Sequence, residues 1–236
     1  MNIFYIYHSG FAVETENYKL VFDYYMEPKK NRGDFDIENF IIDSKHVLVF
    51  SSHSHGDHFN DRILKWREKN SKIKYILSDD IKVEGEYNFV KEGDFLKIEG
   101  AEIKVFGSTD LGVSYFVKCD NISFFHAGDL NWWAWADDTL EEERYMRELY
   151  FNKMELIEKE LKEKEIDYLF YPVDPRLEEY SFLGIEYFIE KIKVKNIIPM
   201  HMWDRYEIIK ILNSEIKDIN IIEINRSCEE ILKIME

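Results

Sequence analysis

Residues 53–58 read His53-Ser54-His55-Gly56-Asp57-His58, and no other feature constrains this chain as strongly. Four imidazole or carboxylate donors in so short a run cannot all face one point from a helix or from an alternating strand. They imply a loop wrapped around cations. Three of the chain's seven histidines fall in this window, which argues against a polar loop with incidental histidines. A His/Asp donor set without thiolates suits zinc, manganese or iron, and it resembles an open, water-bearing site more than a closed structural one.

The flanking residues support that reading. His46-Val47-Leu48-Val49-Phe50-Ser51-Ser52 is an apolar, β-branched run that predicts a buried strand feeding the loop. After the loop, Asn60 or Asp61 caps a predicted helix whose stripe is Ile63, Leu64 and Trp66. Two later segments repeat the pattern of a strand ending in a donor: Ile122 to Phe125 leads through His126-Ala127-Gly128 to Asp129, and Ile197 to Met200 leads to His201. A carboxylate has two oxygens and can bridge cations roughly 3.5–4 Å apart, a spacing at which a shared water becomes a nucleophile toward an ester, amide or phosphate. Asp129 is the natural bridge.

The rest of the chain reads as strands first and helices later. Strands are predicted at 3–7, 11–14, 18–22, 74–77, 95–98, 102–106, 113–118 and 122–125, with short connections that imply antiparallel hairpins near the start. From 139 to 164 the apolar residues fall at helical spacing, as one long amphipathic helix or two shorter ones. Strands then resume at 168–173 and 195–200, with helices near 184–192 and 206–213 and closing strands at 219–224 and 231–234. The acidic run from Asp137 to Glu143 reads as a solvated helix start.

Composition excludes several classes. The net charge of −16 would repel a phosphate backbone, and no basic stripe with interleaved aromatics offsets it, so nucleic acid is not an expected partner. No run reaches the roughly 18 apolar residues of a membrane span, and the N-terminus lacks the basic start of a signal peptide. Cys119 and Cys228 have no metal or redox spacing and read as buried, reduced thiols of a cytoplasmic protein. With only four prolines and ten glycines, no linker is visible, and residues 1–236 are expected to form a single domain.

In this order the segments resemble the metallo-β-lactamase superfamily, whose pattern is His-x-His-x-Asp-His, then a His, then Gly-Asp, then a final His, each at a strand end. His53, His55, Asp57 and His58 match the first block, Gly128-Asp129 the bridging block and His201 the last. Tyr7-His8-Ser9-Gly10-Phe11 and the strand ending at Asp23 are similar to the family's beginning, so the resemblance covers nearly the whole chain. It implies an α/β fold, an αββα four-layer sandwich, with one or two divalent metal ions at one edge between the sheets. Zinc is the expected metal, with manganese or iron as alternatives.

One block departs from the pattern. Where the family usually has Gly-His-Thr-Pro-Gly, this chain has Gly107-Ser108-Thr109-Asp110-Leu111-Gly112, and no histidine. His126 is one candidate replacement, although in a straight strand it faces away from Asp129; Asp110 is another. The resemblance thus implies an incomplete site from His53, His55 and Asp129 beside a fuller one from Asp57, His58, Asp129 and His201.

Further residues are expected around the metals. His8 either contacts a metal or substrate or sits satisfied in a turn. Asp23 is expected to hydrogen-bond a ligating imidazole. The three indoles of Asn131-Trp132-Trp133-Ala134-Trp135 are expected in an apolar pocket wall, Trp132 and Trp133 foremost, and Arg176 is expected either to hold an anionic group or to pair with Asp174. His46 is expected to have no chemical role.

The Gly-Asp and final-His blocks are similar to the small-molecule branch of the superfamily, which includes lactonases and phosphodiesterase-like hydrolases. The implied function is metal-dependent hydrolysis of a small ester, lactone or phosphodiester, including anionic ones, by metal-bound hydroxide, with Asp57 orienting the water. The alternative is a non-catalytic metal-binding or ligand-sensing protein on the same fold, and a third is a flavoprotein partner or a di-iron, oxygen-handling protein.

Overall fold

The β-branched and aromatic runs fill two mixed sheets in the computed structural model, which describes residues 1–234. In chain order the strands are β1 (Asn2–Tyr7), β2 (Gly10–Glu14), β3 (Tyr18–Phe22), β4 (His46–Ser51), β5 (Lys74–Ser78), β6 (Asn88–Val90) and β7 (Phe95–Ile98). They continue as β8 (Ala101–Gly107), β9 (Val113–Cys119), β10 (Ile122–His126), β11 (Glu165–Pro172), β12 (Lys193–Met200), β13 (Asn220–Ile221) and β14 (Glu229–Lys233). One sheet runs β14-β1-β2-β3-β4-β5-β6 and the other β13-β12-β11-β10-β9-β8-β7.

Alternation along the strands explains why four layers form. In β4, Leu48 and Phe50 join the core between the sheets while Val47 and Val49 join a separate cluster on the outer face. β3 divides in the same way, with Leu20 and Phe22 inward and Val21 outward. A strand apolar on both sides has to be covered on both. The outer face of the first sheet is covered by a single helical turn, α1 (Ile37–Phe40), and a 3₁₀ segment, Asp61–Glu68. Helices α2 (Leu140–Leu161) and α3 (Leu183–Lys191) pack on β8 and β12 of the second sheet, and α4 (Ile208–Glu215) follows. The αββα four-layer sandwich expected from the sequence is the fold.

Most elements fall where the hydrophobic pattern puts them, and the exceptions have physical causes. The 139–164 segment holds one helix, Leu140–Leu161, because Thr139 and Glu142 close a capping box at its start and nothing interrupts the apolar stripe. The predicted helix after the histidine loop is instead a 3₁₀ segment. Ile63 and Trp66, three residues apart, eclipse in that geometry, so both reach the outer core. β6 and α1 were not legible, being too short for any periodicity. The strand predicted at 219–224 pairs with β12 only over Asn220–Ile221.

Strand direction positions the site. β3 and β4 are parallel, as are β10, β11 and β12, and β1 shares the direction of β3 through the antiparallel β2. The C-terminal ends of these strands gather at one edge of the sandwich, which places His8, Asp23, the 53–58 loop, Asp129, Asp174 and His201 together. A backbone bond from His201 N to His8 O, 3.3 Å long, ties the two sheets there.

Candidate metal centre

The donors form two groups that share a boundary at Asp129. His53, His55 and Asp129 make one, and His8, Asp57, His58 and His201 the other; within each group the ligand atoms all lie within 4.8 Å of one another. His53 Nε2 is 3.4 Å from Asp129 Oδ2, while His58 Nε2 and His201 Nε2 are 3.1 and 3.4 Å from Asp129 Oδ1. The carboxylate therefore turns one oxygen toward each group.

These spacings fit a cation. Tetrahedral ligands at the usual zinc–nitrogen distance of about 2.0–2.1 Å lie about 3.3 Å from one another. His53 Nε2 and His55 Nδ1 approach to 3.1 Å, close for two imidazoles unless a proton or a metal lies between them. Among the buried polar atoms, both ring nitrogens of His8 have no hydrogen-bond partner, and His58 Nε2 and Asp129 Oδ1, although 3.1 Å apart, are not aligned as donor and acceptor. Buried polar atoms are almost always satisfied, so lone pairs left open and converging mark a place for positive charge.

The other face of three of these imidazoles is fixed. His58 Nδ1 donates to Asp23 Oδ2 at 2.8 Å, and His201 Nδ1 to Asp174 Oδ2 at 2.8 Å. Ser52 Oγ donates to Asp23 Oδ2 at 2.6 Å and lies 3.0 Å from His53 Nδ1. With Nδ1 protonated and held, His53, His58 and His201 present the Nε2 lone pair to the site, the tautomer a metal requires.

Charge balance follows from the same packing. Burial alone would raise the Asp129 carboxyl, but the imidazoles of His58 and His201 hold it far below the usual carboxylate range. Burial opposes charge on His58, yet Asp129 and Asp23 outweigh it and push its pKa well up. Burial and the neighbouring His201 lower His8 to about 4.

Several sequence expectations are corrected. His126 is turned away from the site, as strand alternation had suggested: Nε2 donates to Ser9 O at 2.9 Å, Nδ1 accepts from Gly128 N at 3.2 Å, and the ring stacks on Phe22. It cannot replace the missing imidazole. Asp110 stands at the rim, half exposed, 3.7 Å from His55 Nδ1 and outside both donor groups. Trp132 packs against Tyr150 and Phe151 beneath α2 rather than in the cleft. His46, expected to have no chemical role, needs no correction: it lies at the opposite end of β4, beside Tyr18 and Glu99.

Where the family has its histidine stands Ser108, and the next residue does structural work instead. Thr109 Oγ1 donates to Asn131 O at 2.7 Å, bracing the segment that carries Asp129.

A cleft of about 310 Å³ opens over the donors, lined among others by Asp57, Trp133, Trp135, Met146 and Arg176. Arg176 forks onto Asp174, and its guanidinium lies over the rings of Trp135 and Trp203 at 5.6 and 5.3 Å. Trp203 and Ser52 were not singled out from sequence, and Asp174 only as a partner for Arg176. Asp174 had a signal: like Asp23, it is an acid just beyond the end of a predicted strand.

Gly112 is where the loop geometry is tightest. Its φ is +72°, and a Cβ there would lie 2.0 Å from Ser52 O and 2.5 Å from His53 Cβ. Gly112→Ala is expected to lower stability by about 2–5 kcal/mol, roughly 1–2 from the left-handed backbone and 1–3 from the clash, and to displace His53. Thermal melts and metal content check this; an unchanged melting temperature would mean that the contact relaxes freely.

Residues 2–133 match the family model of the β-lactamase superfamily domain, more than half of the chain. The chain belongs to the metallo-β-lactamase superfamily. No curated protein matched it. Among solved structures, Igni18, a metallo hydrolase from the hyperthermophilic archaeon Ignicoccus hospitalis KIN4/I, is similar with a TM-score of 0.68 and 16% identity, covering 99% of each chain. YhfI of Bacillus subtilis, a metallo-β-lactamase fold protein, has a TM-score of 0.62 and 10% identity over 97% of this chain and 98% of its own. CmlA of Streptomyces venezuelae, a diiron β-hydroxylase, has a TM-score of 0.60 and 11% identity over 99% of this chain but 54% of CmlA. At such identities the likeness is one of fold.

Proposed function

We propose that this protein is a metal-dependent hydrolase of a small, anionic ester, lactone or phosphodiester. The observation that carries the reading is the Asp129 carboxylate turned between two groups of imidazoles, with the buried ring nitrogens of His8 and Nε2 of His58 left without hydrogen-bond partners beside it. Divalent cations bound there supply an acidified water and a Lewis acid for the scissile group. The protein's own residues do the rest. Asp57, partly exposed on the cleft wall, is placed to accept a proton from an attacking water while its other oxygen faces the donors. Trp133 and Trp135 form an apolar wall, and Arg176, forked onto Asp174, brings a guanidinium to the rim for an anionic group. Zinc suits the imidazole-rich set; the diiron centre of CmlA makes iron the second metal to test.

Metal-depleted protein, supplied separately with zinc, manganese or iron and screened on chromogenic esters, lactones and phosphodiesters, is expected to recover hydrolysis with at least one metal. Silence on every substrate with every metal would sink the reading.

The same reading excludes polyanions. Binding nucleic acid needs several Lys or Arg contacts to phosphates, and 47 acidic against 31 basic side chains argue for none. An anisotropy titration with RNA and DNA at about 150 mM salt is expected to show no binding; micromolar affinity that weakens steeply with salt would overturn the small-molecule reading. No helix among the described residues is long and apolar enough to cross a membrane. Two buried, unpaired thiols support a reducing, cytoplasmic setting, which cell fractionation checks.

A further inference from the structure

We infer that His8 is a metal ligand, completing the group of Asp57, His58 and His201. The inference rests on the proposal that this cluster holds cations.

His8 sits in the two-residue turn between β1 and β2, where Tyr7 pairs with Gly10. Its φ is +58°, at a position where such turns favour glycine or asparagine. Turn chemistry does not call for an imidazole here. The ring is fully buried, and neither nitrogen has a hydrogen-bond partner. It is also held firmly: the ring lies 4.0 Å from that of His201 and 4.2 Å from that of Trp203, with His58 edge-on at 5.4 Å. Nε2 is 3.4 Å from Asp57 Oδ2, about the separation of two ligands on one tetrahedral zinc.

The consequence is an unequal pair of centres. One has only His53, His55 and the shared Asp129; the other gathers four protein donors beside the same carboxylate. The cation held with His8 is the tight one, and the other centre keeps more open positions for water and substrate.

The test is metal binding, independent of turnover. Chelator-stripped protein titrated with zinc, and with cobalt for its absorption spectrum, should show one tight and one weaker event. His8→Phe keeps an aromatic ring against His201 and Trp203, and His8→Gln keeps a polar group; each should weaken the tight event by more than the roughly 10–100-fold seen when a partner of a ligand is removed. Each should also alter the cobalt spectrum. Cadmium-loaded wild-type protein with nitrogen-labelled histidine should show a metal–nitrogen coupling at His8. Wild-type affinities in both variants, or no coupling at His8 while other histidines show it, overturns the inference alone. Failure of the wild-type protein to bind any of these metals overturns it together with the proposed function.

Discussion

Asp129→Asn is expected to leave a folded protein that retains neither cation and has lost at least about 100- to 1,000-fold of its hydrolytic activity, the scale seen when a preorganised charge-stabilising group is removed. The carboxylate faces His53 on one side and His58 and His201 on the other, at 3.1–3.4 Å. An amide of the same shape offers one neutral oxygen, and its N–H₂ would point at an imidazole lone pair. Both centres lose a ligand in one substitution. A cation at 100 times its dissociation constant stabilises the native state by about 2.7 kcal/mol, so the melting temperature of the wild-type protein should rise with added metal while that of the variant stays flat. Elemental analysis and melts with and without metal decide it; full metal content and turnover in the variant would remove the bridging role.

Asp23 is expected to matter nearly as much without touching a metal. It is fully buried, and its carboxylate accepts from Ser52 N at 2.7 Å, Ser52 Oγ at 2.6 Å and His58 Nδ1 at 2.8 Å. Because Ser52 Oγ in turn meets His53 Nδ1, one acid orients an imidazole in each donor group. Asp23→Asn keeps the volume but can turn a donor toward His58 Nδ1, driving the ring's proton to Nε2, where it blocks a ligand lone pair. Metal affinity should fall about 10–100-fold with the fold kept. Asp23→Ala leaves buried donors unpaired and should lower stability by about 3–5 kcal/mol. Chelator competition on the first variant and denaturant melts on the second measure these separately. Unchanged affinity in Asp23→Asn would show that packing alone sets the tautomer.

What was legible in the sequence is what local chemistry dictates. The 53–58 run has to be a loop because neither periodicity can converge its donors, and strands such as β3 and β4 announce coverage on both faces because apolar residues run consecutively through Leu20-Val21-Phe22 and Val47-Leu48-Val49-Phe50. Asp129 and His201 could be placed at strand ends by the same reasoning. Tertiary structure decided everything that depends on which way a side chain turns once the strand is over. His126 and Trp132 sit within three residues of Asp129 and yet face the core, one stacked on Phe22 and one beneath α2, while Trp203 and Asp174 arrive at the metal edge from strands far apart in sequence. Short elements such as β6 and α1 likewise exist only because a neighbour pairs with or buries them. Sequence determines donors and periodicity within one segment, whereas the partner of a buried ring nitrogen is set by whichever chain end the parallel strands deliver beside it.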